Sequence, residues 1–100
     1  MAQKKVKKSV QYVLVRSNLS GVWIGELVKR EGMVCVLRNA HKIWRWTGAK
    51  TTSDLALTGC RKGSRVAPAV TGCIVDATGC EVIESNALAY AAVASAGWAT

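Results

Sequence analysis

Apolar positions fall in short runs separated by turns bearing glycine, asparagine and serine, the pattern of a chain built mainly from strands. Val10–Arg16 is rich in β-branched residues and holds no Gly or Pro, so it predicts an opening strand. Ser17–Gly21 is a turn cluster, and Gly21–Val28 resumes the extended pattern. Gly25 inside that segment predicts a bulge or the close approach of another backbone. Lys29–Gly32 is a hairpin signal because Gly32 accepts positive φ. Met33–Leu37 follows as a nearly continuous apolar run, as in a strand covered on both faces. Arg38–His41 breaks that run, and Asn39 suits a left-handed turn. In Ile43–Trp46 a period of two puts Trp44 and Trp46 on one face and Ile43 and Arg45 on the other.

The second half of the chain changes character. Thr52–Thr58 predicts a short helix, capped by Thr52 or Ser53, with Asp54 against the positive end of its dipole and Gly59 placed to stop it. Cys60–Pro68 reads as a basic loop, and Val70–Val75 and Cys80–Glu84 as two further strands around an Asp76–Gly79 turn. Ser85 or Asn86 caps a final helix over Ala87–Ser95, after which Gly97-Trp98 returns an aromatic ring to the body. The expected fold is mainly β (α+β). It is a small antiparallel sheet or partly open barrel of about five to six strands, with a short helix near 52–58 and a second at the C-terminal end. The expected organisation is a basic flexible arm over residues 1–9 and one β-rich domain over residues 10–100.

Charge refines this picture. The formal net charge is +8, and Lys4, Lys5, Lys7 and Lys8 place four positive charges ahead of the apolar pattern. Nine basic residues lie between Lys29 and Arg65 against only Glu31 and Asp54, whereas no Lys or Arg follows Arg65. A field so placed favours anionic partners such as nucleotides, nucleic acid or an acidic protein face. The basic start runs into a stretch too short and too polar for a signal peptide. No apolar run reaches the ~18 residues of a membrane span. The four cysteines therefore read as reduced, buried thiols of a cytoplasmic protein, and none belongs to a C-x-x-C pair. Phe is absent and the core must be built from Val, Leu, Ile and Ala, so part of the apolar surface is expected to lie between subunits of a homo-oligomer.

The chemistry points to binding. His41 is the only histidine, and no carboxylate or thiol stands in a recognisable relation to it, so neither catalytic residues nor a metal or cofactor site is expected. Gly48–Thr52 faintly echoes a phosphate loop but has Ala49 where a glycine must precede the lysine. The richest segment is Arg38–Gly48, which interleaves Arg38, His41, Lys42 and Arg45 with Trp44 and Trp46. Guanidinium forks match phosphate oxygens and indoles stack on bases, so these six residues are the expected ligand-binding set. Trp23 joins them if Gly25 marks the approach of a ligand.

Several linked motifs carry a resemblance. Gly21-Val-Trp-Ile-Gly-Glu-Leu27, Arg30-Glu-Gly32, Ala40-His-Lys-Ile-Trp-Arg-Trp-Thr-Gly-Ala49 and Ser53–Gly59 follow one another in the order and spacing of a family of small bacteriophage proteins of unknown function. Residues 11–59 resemble that family well, in its G-V-x-x-G-x-L hairpin, R-E-G turn, A-R-R-I-W-x-W motif and short leucine-containing helix. His41-Lys42 stands where the family has two arginines, which weakens any bidentate anion contact at that point. The resemblance implies a phage setting and action in the host bacterial cytoplasm.

Three functions follow as expectations. The first is a non-enzymatic phage protein that captures a small phosphorylated ligand between subunits, such as a cyclic nucleotide used as a host immune signal. The second is a phage structural, virion-associated or host-protein-interaction protein. The third is a non-specific nucleic-acid binder acting through the basic arm.

Overall fold

A computed structural model describes residues 10–18 and 20–98, so the basic arm expected over residues 1–9 lies outside the described residues. The elements are β1 (Tyr12–Ser17), β2 (Gly21–Glu31), β3 (Val34–Arg45), α1 (Thr52–Thr58), β4 (Arg65–Val66), β5 (Val70–Asp76), β6 (Glu81–Glu84) and α2 (Ala87–Ala96). They form a six-stranded antiparallel sheet in the order β4-β3-β2-β1-β6, with β5 also paired to β3. The mainly β architecture with two short helices is the one the apolar pattern predicts.

β3 organises the sheet. Its whole length faces β2, from Glu31↔Val34 to Val22↔Ile43. Its opposite edge is shared end to end, by β5 along Val34–Ala40 and by β4 at Ile43 and Arg45. The break expected at Arg38–His41 is absent: the strand runs through, and Asn39 takes φ 52° inside it. A residue in this conformation turns the chain locally without ending the ladder, so the sequence signal was a bulge and not a loop. On the facing strand the register shifts between Ile24 and Glu26, at Gly25. A Cβ at Gly25 would stand 2.9 Å from the Ala40 Cβ, so the predicted close approach is that of β3.

Both faces of the central strands are buried. Leu14, Ile24 and Ile43 join Leu55, Ala56, Cys60, Val66 and Val93 under the two helices. Val13, Val15, Cys35, Leu37, Ala40, Val75 and Ala77 form a second cluster on the other face. Full burial of a side chain such as Leu14 or Leu55 contributes roughly 2–3 kcal/mol. The helices close the first cluster because they approach each other tightly. A Cβ on Gly59, which stops α1 with φ 78°, would lie 2.7 Å from both the Ala89 carbonyl oxygen and the Ala92 Cβ. The cap of α1 is one residue earlier than expected: the Thr51 hydroxyl accepts from the Asp54 amide at 3.2 Å. Asn86 caps α2, accepting from the Ala89 amide at 2.8 Å.

Among the described residues, no helix is long and apolar enough to cross a membrane.

Candidate functional site

The residues singled out in the sequence divide between the two faces of the second half of β3. His41 and Ile43 point under the helices. The His41 side chain is 9% exposed, and its Nδ1 lies 2.8 Å from the Ala67 carbonyl oxygen. A carbonyl only accepts, so Nδ1 carries the proton. The ring also meets the edge of Tyr90 at 5.5 Å. His41 thus fastens β3 to the segment after β4 and to α2, and is not placed to meet a ligand.

Arg38 and Trp46 are drawn off elsewhere. Arg38 reaches Glu26 at 3.4 Å, and the same carboxylate accepts from the Asn39 amide nitrogen at 2.9 Å. Nearby, the Tyr90 hydroxyl donates to the Asn39 carbonyl at 2.5 Å, so this corner ties α2 to the bulge. Burial first, and the Glu26 carboxylate second, push the Tyr90 hydroxyl above its ordinary range. Trp46 packs on the helix-covered cluster, the opposite of the expected pairing with Trp44. The register shifts between Ile43 and Arg45 and the strand ends at Arg45, so alternation no longer relates the two rings.

What remains forms one stripe. Trp23 and Lys42 are cross-strand partners, with the Lys42 ammonium 5.8 Å from the Trp23 ring. Trp44 follows on β3, where the β3–β4 register shifts between Ile43 and Arg45, and is 63% exposed. Its ring centroid lies 6.3 Å from that of Trp98, which is itself 50% exposed. Trp98 bridges Arg65 in the backbone, and the Arg65 guanidinium carbon stands 5.7 Å from the centre of its ring. The Val66 amide donates to the Gly97 carbonyl at 2.9 Å, which holds the Trp98 segment beside β4. The stripe therefore crosses β2, β3, β4 and the end of the chain, alternating indoles with cations. Arg45, opposite Arg65 in the ladder, is exposed nearby.

A buried serine orders the adjoining basic loops. Ser64, fully buried, accepts from the Thr47 amide at 3.0 Å and donates to the Arg61 carbonyl at 2.7 Å. The Arg61 amide in turn donates to the Thr47 carbonyl at 3.1 Å. This staple brings the exposed Arg61 and Lys62 beside the segment following Arg45. Ser64, Arg65 and Trp98 are the functional candidates that sequence reasoning missed. The one available signal was the return of Trp98 after α2, which did not reveal its neighbour.

Gly25 faces Ala40, so it gives no sign of a ligand near Trp23; that indole earns its place through Lys42. The thiols are not part of the stripe. Burial pushes Cys35, Cys60 and Cys73 above the ordinary thiol range, which makes them poor nucleophiles. Chemically the stripe offers flat π surfaces beside fixed positive charge, suited to partners that combine rings with anionic groups.

Fold and stripe together define a small, mainly β protein with an open antiparallel sheet and an exposed aromatic and cationic face. Residues 10–93 match the family DUF6948, a domain of unknown function, and the chain belongs to that family. No curated protein matches the chain, and no solved structure does.

Proposed function

We propose that this is a non-enzymatic binding protein that takes a phosphorylated, base-bearing ligand on the face formed by Trp23, Lys42, Trp44, Trp98 and Arg65. The observation that carries this reading is the pair of exposed indoles at 6.3 Å with a guanidinium against one of them. Rings left open to solvent on a sheet are available for stacking, which contributes about 1–3 kcal/mol per base. Arg45 and the Ser64-ordered loop bearing Arg61 and Lys62 add positive charge for phosphate oxygens. The resemblance to small phage proteins supplies the setting: an infected bacterial cytoplasm, in which nucleotide signals are ligands of this chemistry.

The test is quenching of tryptophan fluorescence on titration with mononucleotides, cyclic dinucleotides and short oligonucleotides. Saturable quenching that Trp44→Ala removes, with an unchanged circular dichroism spectrum, is the expected result. A folded Trp44→Ala variant of unaltered affinity would sink the assignment.

A second reading draws on another surface. Ile74 is 71% exposed on β5, next to its ladder partner Val36, and shares a shallow surface depression with Val34. Such a patch suits a protein contact, either with a second copy of this chain or with a phage or host protein. Sedimentation of the wild type against Ile74→Asp tests it: a monomer in both cases removes the homo-oligomer.

A further inference from the structure

Resting on the binding face just proposed, we infer that the ligand is single-stranded nucleic acid, with one base held between Trp44 and Trp98 and the strand running across the sheet towards Trp23. Three observations lead there.

The first is the spacing of the rings. A flat base in contact on both sides needs its neighbours about 7 Å apart, twice a contact distance of roughly 3.5 Å. The Trp44 and Trp98 centroids stand 6.3 Å apart with their planes at 39°. A base would enter once the planes are brought parallel and face to face at about 7 Å. Aromatic pairs that merely pack on one another also fall in this range of distances. Here, however, Trp44 remains 63% and Trp98 50% exposed, so both residues keep half or more of their surface in solvent.

The second is direction. Trp23 lies on β2, Lys42 and Trp44 on β3, Arg65 on β4, and Trp98 on the segment bridged to β4. Strands are spaced about 4.8 Å apart, so the stripe is roughly 14 Å wide. That width takes roughly two to four nucleotides of a single strand, whereas a mononucleotide would occupy only one end. Lys42 over Trp23 and Arg65 over Trp98 place a cation at each end, where the phosphates on either side of the clamped base would pass.

The third is openness. The stripe lies across a sheet surface, with both indoles presented outwards, which suits a strand whose bases are unstacked and excludes none by shape. In a duplex the same bases face each other and offer no ring to the clamp.

The experiment uses the full chain and a 5′-labelled ten-nucleotide oligothymidylate, followed by fluorescence anisotropy. Competition with thymidine monophosphate and with a ten-base-pair duplex gives the relative affinities. The expected result is that the oligonucleotide binds at least about tenfold more tightly than the monophosphate or the duplex. Trp98→Ala and Trp44→Ala, each checked for an unchanged melting temperature, should weaken it roughly ten- to hundredfold. Both variants keep residues 1–9, so attraction to the basic start cannot produce that loss. A monophosphate that binds as tightly as the oligonucleotide overturns the strand and leaves the binding face standing. Equal binding of the duplex, or unchanged affinity in both variants, overturns the clamp. No binding by any of the three probes overturns the inference, and the face itself falls only if the cyclic dinucleotides of the quenching titration also fail to bind.

Discussion

The two faces of β3 between His41 and Arg45 carry similar residue types and put them to different uses. Under the helices, Ile43 is 2% exposed and His41 is bonded to Ala67. On the other face, one residue away in sequence, Lys42 and Trp44 reach solvent beside Trp23 and Trp98. Only the covering differs. A cation or an aromatic ring is structural where a helix closes over it, and available to a partner where nothing does.

The largest effect should come from the covered face. Ile43→Ala opens a cavity beneath both helices and should cost about 3 kcal/mol, read as a loss of urea resistance. The adjacent Trp44→Ala should change stability by less than about 0.5 kcal/mol, since it removes a ring that is mostly in water. If Trp44→Ala proved as damaging as Ile43→Ala, the ring would be a core element and the contrast between the faces would disappear.

Next in size is His41→Ala, which removes the bond to Ala67 and the packing against Tyr90. About 2 kcal/mol is expected, because the Ala67 carbonyl is left without its partner. Ligand affinity, compared at a temperature where the variant is folded, should stay within about twofold, well under the 1.4 kcal/mol of a tenfold change. A selective loss of affinity would return His41 to the binding set, where the sequence had placed it.

That misplacement shows what the sequence carried and what it withheld. Most strands, both helices, the stop at Gly59 and the cap at Asn86 follow from local signals, which act within a few residues, whereas β4 (Arg65–Val66) lies in the stretch read as a loop because only its pairing with β3 makes it a strand. Gly25 was read correctly as a close approach because only one residue type tolerates it. Asn39 was recognised as left-handed, yet a positive φ serves a turn and a bulge alike, so the long β3 was cut in two. Trp46 was paired with Trp44 by a periodicity that needs a regular ladder, but the register shifts between Ile43 and Arg45 and the strand ends at Arg45. His41 looked like a ligand residue because the helix that covers it, α2, is far along the chain. The partnership of Trp44 with Trp98 and Arg65 depends on how the end of the chain docks against β4, which no local pattern encodes.

Ser64→Ala should have a smaller effect, about 1 kcal/mol, through loss of the bonds to Thr47 and Arg61. Its interest lies in separating order from charge. If the staple positions Arg61 and Lys62, the variant should lose affinity for anionic ligands beyond what its stability predicts. The loss should shrink at high salt, where the contribution of those charges is screened. Equal affinity at low salt would show that the loop cations act without being held in place.

The smallest effect belongs to the edge that joins β6 to α1. The Glu81 carboxylate accepts from the Thr52 hydroxyl at 2.8 Å and meets the Arg16 guanidinium at 3.1 Å. The Thr52 bond is the main cause that holds Glu81 below the ordinary carboxylate range, with Arg16 adding to it. A folded-state pKa below the unfolded one means the unfolded chain binds the proton more readily. The stability this group supplies is therefore present above about pH 4.3, its unfolded pKa, and is lost as pH falls through the lower folded value. Glu81→Gln keeps an oxygen that accepts from Thr52 but removes the charge. Its melting temperature should fall slightly below the wild type at neutral pH and converge on it in acid. A gap that stayed constant from neutral pH down to about pH 3 would mean the carboxylate is held there by shape alone, with no charge-dependent share. The attachment of α1 would then rest on the apolar cluster beneath it and on the uncharged bonds from Ser85 to the Ala56 carbonyl and from Asn86 to the Leu57 carbonyl, making the covered face still less like its charged, exposed counterpart.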